Sequence, residues 1–155
     1  MNEATAAVDL RGRRIALVVS RFNEVATARL AAGARTCLLE RGFDADGIDE
    51  FWVPGAFELP LAADKLAARG VYDAVVALGC VIRGETPHFD FIASEAASGL
   101  QLAALETGVP VSFGVLTVES PEQAEARIDK AAEAVRSALE MADAFAQLRV
   151  SAATG

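Results

Sequence analysis

Apolar residues along this chain follow two rhythms. Short runs at residues 14–19, 48–53, 74–81 and 111–116 are dominated by β-branched and other apolar side chains, and the third is apolar on both faces. Such runs suit strands buried by neighbours on each side. Between them lie longer stretches in which apolar residues recur every three or four positions, the mark of a helix with one face on a sheet. This spacing predicts helices over residues 24–41, 58–69, 88–106 and 121 to about 148. Val25, Ala28, Ala32, Leu38 and Leu39 carry the first, and Ile128, Ala131, Val135, Ala138, Ala142 and Phe145 the stripe of the last. Gly42, Gly70 and Gly108 stand at the ends of the first three, where left-handed backbone lets a helix stop, and Pro54-Gly55 ends the second strand. Strand and helix alternate throughout, and right-handed crossovers then return each strand to one sheet. The expected fold is α/β, a doubly wound four-stranded parallel sheet with helices on both faces.

The third helix has more apolar surface than such a sheet needs. Phe89, Phe91, Ile92, Ala93, Ala96, Ala97, Leu100, Leu102, Ala103 and Leu105 surround it nearly completely. The surplus face wants cover, and a second copy of the chain is the expected partner.

Length and composition narrow the rest. With 155 residues, 53% of them hydrophobic, the chain suits one domain over residues 14–148, with a flexible arm at 1–13 and a flexible tail at 149–155. The longest apolar run, residues 74–82, is too short to span a bilayer, and the first residues lack a signal-peptide core or an Arg-rich transit pattern. A cytoplasmic protein without a membrane partner is expected. A net charge of −8 is the wrong field for a phosphate backbone, so nucleic acid is not an expected partner. Cys37 and Cys80 both sit in apolar periodic segments, which suits buried, reduced thiols better than a disulfide or metal site.

In an open parallel sheet, ligands bind beyond the carboxyl ends of the strands. The loops there carry Arg21-Phe22-Asn23, Pro54-Gly55-Ala56-Phe57-Glu58 and Arg83-Gly84-Glu85-Thr86-Pro87-His88, with Phe113-Gly114 on the fourth strand. Phe22 and Phe57 can stack on a flat heterocycle, and Asn23 and Glu58 can bond hydroxyls attached to it; as an alternative, both rings are core and both polar residues cap helices. Thr86 as N-cap and Pro87 at the first helical position would present free N–H groups to an anion, or form an ordinary cap. His88, the single histidine, falls in the first turn and can both give and accept protons, whereas a lone imidazole argues against a metal. Arg127 and Lys130 can supply positive charge to a phosphate, although Lys130 can instead pair with Glu133 three residues on.

Taken in order, Arg21-Phe22-Asn23, residues 53–58 (VPGAFE), residues 78–90 (LGCVIRGETPHFD), residues 113–117 (FGVLT) and residues 138–142 (ALEMA) closely resemble the 6,7-dimethyl-8-ribityllumazine synthase family. The resemblance runs from about residue 14 to residue 148. It implies a flavodoxin-like sheet and the condensation of 5-amino-6-(D-ribitylamino)uracil with 3,4-dihydroxy-2-butanone 4-phosphate, with release of phosphate and water. No metal or organic cofactor is implied. By the same resemblance, Phe22 stacks on the pyrimidine, and Asn23, Ala56, Phe57 and Glu58 hold the ring and ribityl chain. Cys80, Val81 and Ile82 complete the ring pocket through their backbone. Glu85, Thr86 and Arg127 take the phosphate, with Lys130 as a further candidate, and His88 is the proton donor and acceptor. Phe113 and Arg127 come from the adjacent subunit of a homopentamer, and riboflavin synthase is a candidate partner.

Relatives carry a Gly- and Lys-rich connection between the arginine matching Arg127 and a following lysine, whereas only Ile128 and Asp129 separate Arg127 from Lys130 here. A continuous helix would place the two cations on neighbouring positions of one face. That connection lies where pentamers of some relatives meet, so the expectation stops at a pentamer. Two other functions compete: an archaeal-type riboflavin synthase acting on the lumazine itself, and a non-catalytic lumazine- or flavin-binding assembly. A flavodoxin-like carrier fits less well, because the first loop lacks a Ser/Thr/Gly-rich phosphate cradle.

Overall fold

A computed structural model describes residues 13–154. The arm expected at residues 1–13 therefore lies, apart from Arg13, outside the described residues. Strands β1 (Ile15–Ser20), β2 (Ile48–Val53), β3 (Ala74–Ile82) and β4 (Val111–Val118) alternate with helices α1 (Glu24–Glu40), α2 (Leu59–Ala68), α3 (His88–Thr107), α4 (Pro121–Ala126) and α5 (Lys130–Thr154). The strands form one sheet in the order β2-β1-β3-β4, and every neighbouring pair is parallel.

Period-two alternation divides the core cleanly. Ile15, Leu17 and Val19 of β1, with Val76 and Leu78 of β3, pack against α1 and α5 through Leu30, Leu38, Val135 and Leu139. Ala16 and Val18, with Val75 and Ala77, pack against α2 and α3 through Leu59, Leu66 and Leu100. All six residues of β1 are buried, as are the first eight of β3. This is the doubly wound α/β arrangement the alternation predicts, and central strands covered on both faces explain why those runs are uniformly apolar. Gly42, Gly70 and Gly108 all adopt positive φ where the chain leaves α1, α2 and α3.

Several boundaries differ from expectation. Residues 56–58 form a separate 3-10 turn before α2, whose second position is Pro60. Strand β4 runs to Val118, two residues beyond the expected end, because Val118 pairs with Ile82. The expected helix from residue 121 is two helices: Arg127 leaves helical backbone (φ −120°, ψ 22°), and tight turns link Lys130 N–H to the Arg127 carbonyl and Ala131 N–H to the Ile128 carbonyl. Ala124, Ile128 and Ala131 all pack into the core on the α1 side, so the apolar stripe continues across the turn. At its far end α5 continues past Leu148 through a glycine- and proline-free segment to Thr154.

On α3, Ala96, Leu100 and Ala103 are buried, whereas Phe91, Leu102 and Leu105 stand exposed on its outer side. Among the described residues, this part of the apolar face is uncovered.

Candidate active site

In the order β2-β1-β3-β4 the chain reverses direction of travel across the sheet between β1 and β3, and a crevice opens where the loops after those strands part. One bond crosses it. Asn23 is the one non-glycine among the described residues with positive φ (65°). Its carbonyl accepts the N–H groups of Ala26 and Thr27 at 3.1 Å to start α1. Its side chain does not cap that helix but donates Nδ2–H to the Cys80 carbonyl at 2.8 Å. On the other side, Arg21 N–H reaches the Val53 carbonyl (2.7 Å) and Phe22 N–H the Pro54 carbonyl (3.0 Å). The first loop is thus tied to both neighbours, and a strained backbone held by side-chain bonding is the kind of feature found at ligand sites.

These ties surround a cavity of about 550 Å³ lined by Phe22, Asn23, residues 54–58, Cys80, Val81, Ile82, Gly84, Thr86, His88, Phe89 and Ile92. Phe22 is 71% exposed and Phe57 54%, which excludes the core alternative for both. The Glu58 carboxylate lies over Gly55, where a side chain's first carbon would come within 3.2 Å of Oε1. Cys80 is buried, and desolvation pushes its thiol up to about 11, so it stays protonated near neutrality. Its carbonyl, held by Asn23, is the group it offers to the local structure.

The third loop differs slightly from expectation. Helix α3 begins at His88, with Pro87 rather than Thr86 in the cap position, because Pro87 takes a near-helical turn (φ −69°, ψ 4°). Thr86 Oγ1 accepts the His88 N–H at 3.4 Å, so the threonine still serves the helix start. The apolar walls, one amide, one carboxylate, one hydroxyl and one imidazole suit a flat heterocycle bearing hydroxyls, and the opening of α3 suits an anion.

Not every expected residue is here. Glu85 is exposed on the loop and does not line the cavity. Phe113 is not at the rim: it sits within β4 opposite Ala77, because β4 begins at Val111. Phe113, Arg127 and Lys130 line a second hollow of about 350 Å³, with Thr117, Asp129 and Glu133. There Arg127 Nη1 donates to the Gln123 carbonyl (3.2 Å), and Lys130 Nζ meets Glu133 Oε1 at 3.5 Å. The helix break, not a shared helical face, sets the two cations' positions. Phe89 and Ile92 join the cavity though sequence gave them only to an apolar helix face; Ile92, one turn after His88, carried the available signal.

A family model for 6,7-dimethyl-8-ribityllumazine synthase matches residues 12–146. The chain belongs to this family. Its reaction is the condensation of ribitylaminouracil with the butanone phosphate, a transferase step in riboflavin biosynthesis, and its substrates are small molecules. The lumazine synthase sheet accounts for the cavity's place at the β1/β3 crevice. Among the described residues, no helix is long and apolar enough to cross a membrane.

Proposed function

We propose that the cavity over β1, β2 and β3 holds both reactants of the lumazine synthase reaction, and that a cytoplasmic homopentamer completes it with Phe113 and Arg127 of the adjacent protomer. The observation that carries this reading is convergence: Phe22, Asn23, Ala56, Phe57, Glu58, Cys80, Val81, Ile82, Thr86 and His88, scattered over the sequence, line one cavity. Phe22 stacks on the pyrimidine, while Asn23 and Glu58 take ring and ribityl polar groups. Thr86, the backbone of Glu85 and the start of α3 receive the phosphate, with Arg127 arriving from the neighbour; Lys130 plays a lesser part because Glu133 already holds it. The uncovered face of α3 supports a partner chain. Riboflavin synthase is a candidate visitor to that assembly.

The uracil's amine attacks the ketone and loses water to give an imine. Loss of a proton beside the imine expels phosphate, and the second amine closes the ring with loss of water. Protons move at each stage, and His88, on the cavity wall, serves as donor and acceptor. Both reactants are intrinsically reactive, so holding them together supplies much of the acceleration. His88→Ala is therefore expected to slow turnover by about a hundredfold, the low end of a general acid–base contribution, and not to abolish it.

The test is direct: both precursors are mixed with the purified protein, lumazine absorbance is followed, and native mass spectrometry counts the protomers. Product from the two precursors, none of it converted to riboflavin, and a pentameric mass are expected. Binding of lumazine without synthesis, or riboflavin formed from lumazine alone, would overturn the catalytic assignment, and a monomeric mass the shared site.

A further inference from the structure

We propose that Arg83 is a positioning residue that sets the shape of the phosphate-binding loop, rather than a phosphate ligand. The proposal rests on the reading of residues 85–88 as the phosphate side of the cavity. Arg83 follows the end of β3, and its N–H donates to the Val118 carbonyl at 2.9 Å, extending the β3/β4 register by one bond. Its guanidinium then meets three residues. Nε lies 3.0 Å from Glu119 Oε2, just after β4; Nη2 lies 3.4 Å from Asp90 Oδ1, in the first turn of α3; and Cζ stands 4.3 Å above the Phe89 ring.

Between these anchors runs the loop of residues 84–87. It is exposed, and among the described residues a side chain added at Gly84 would meet nothing within 4 Å, so no packed wall holds that position. The loop's conformation is governed by its two ends. Arg83 fastens both to one post, since the planar fork reaches the strand side through Glu119 and the helix side through Asp90 and Phe89. Phe89 also lines the cavity, and His88 precedes it as the first residue of α3. Moving the guanidinium therefore moves the wall, the imidazole and the helix start together. The pyrimidine side has independent supports: the Asn23 bond to Cys80 and the strand register up to Ile82. With two carboxylates already claiming it, Arg83 is poorly placed to give its charge to a substrate dianion. A lysine would keep the charge but lose the fork and the stacking plane.

Steady-state kinetics of Arg83→Lys and Glu119→Gln, with both substrates varied, test this. Arg83→Lys should raise KM for the butanone phosphate about fivefold, the scale expected for losing a small exposed network, with KM for ribitylaminouracil held within about twofold. Glu119→Gln should raise the same KM in the same direction, and the double variant should raise it by less than the product of the two single effects. Unchanged constants, an equal rise in both KM values, or a lowered KM for the phosphate substrate in Glu119→Gln would overturn the proposal; the last would mean that a freed Arg83 binds phosphate itself. If Arg83→Lys does not fold, Glu119→Gln carries the test alone. Inorganic phosphate competing with the butanone phosphate in the unaltered chain separates the two layers. Without such competition the phosphate reading of the loop falls, and this proposal with it; with competition but unmoved variants, only the role of Arg83 falls.

Discussion

Replacing Asn23 separates two costs that one residue carries together. The residue holds a left-handed backbone at φ 65°, and its Nδ2–H bonds the Cys80 carbonyl at 2.8 Å. Asn23→Gly removes the hydrogen bond but is at ease in that conformation, so it should cost about 1 kcal/mol, the net worth of one bond. Asn23→Ala removes the bond and also leaves in the left-handed region a side chain that, unlike asparagine's, has no polar group to favour it, at about 1–2 kcal/mol more than glycine. The expected totals are then about 1 kcal/mol for glycine and about 2–3 kcal/mol for alanine. Asn23→Asp tolerates the backbone but turns a carboxylate oxygen toward the Cys80 carbonyl, an acceptor facing an acceptor.

Urea unfolding at one fixed protein concentration reads these differences as midpoint shifts at constant slope, because association would otherwise alter apparent stability. Glycine should be the mildest of the three. All three should raise KM for ribitylaminouracil, since the loop that presents Phe22 loses its tie to β3. An alanine variant no less stable than the glycine variant would refute the backbone-strain reasoning. An aspartate variant as stable as the unaltered chain would refute the hydrogen bond as the reason for asparagine here.

Two further outcomes follow from packing and charge. In Gly99→Ala the new carbon would lie 2.6 Å from Cβ of Pro60, at the contact between α2 and α3, so thermal unfolding should show a loss of about 1–3 kcal/mol from overpacking. Asp49 accepts from Tyr72 Oη (2.7 Å) and Arg14 Nη2 (2.6 Å), and these bonds, Tyr72 first, hold its carboxyl below the ordinary 3.8. A depressed native value means that its contribution is complete above pH 3.8 and is lost as pH falls through the native value, so the stability gap between the unaltered chain and Asp49→Asn, read by urea unfolding, should shrink between pH 5 and pH 2.

What the chain made legible was periodicity. The apolar runs of β1 and β3 encode burial on both faces, and the glycines after α1, α2 and α3 encode positive φ, so those element bounds were readable to within a residue or two. The stripe expected on α1 was, Leu38 apart, the wrong one, since Val25, Ala28, Ala32 and Leu39 are exposed and Ala26, Leu30, Ala31, Ala34 and Leu38 face the core. The break at Arg127 was not readable, because Ala124, Ile128 and Ala131 keep helical spacing across a turn over which the stripe continues. Phe22 and Phe57 were ambiguous for a related reason. An aromatic ring at a strand end serves core and ligand equally well until its exposure is known. Asn23 looked like a helix cap by residue type; that its amide reaches β3 depends on the β1/β3 crossing, a tertiary fact with no local signature. The block at residues 78–90 was the exception, since its order of chemically distinct residues identifies the family without any statement about packing.

The charges argue most strongly for a site shared between chains. The substrate phosphate is a dianion, yet among the described residues the cavity lining contains Glu58 and His88 and no lysine or arginine. Arg83 is engaged by two carboxylates, Lys130 by one, and Arg127 faces a different hollow along β4, at the edge of the sheet farthest from β2. On the proposed reading a cation reaches the phosphate from outside the chain that holds the pyrimidine, and head-to-tail contact around a ring would supply it at every interface. Mixed assemblies test this without altering any single site further. Arg127→Gln chains keep an intact cavity, and His88→Ala chains keep an intact arginine. Unfolded together in equal amounts and reassembled, they should form about a quarter of their interfaces with both residues native, by random placement around a closed ring. Lumazine synthesis should rise to about a quarter of the unaltered rate, above either parent alone. Activity equal to the mean of the two parents, with mixed rings verified by native mass spectrometry, would place His88 and Arg127 in one chain's site and end the case for a shared one.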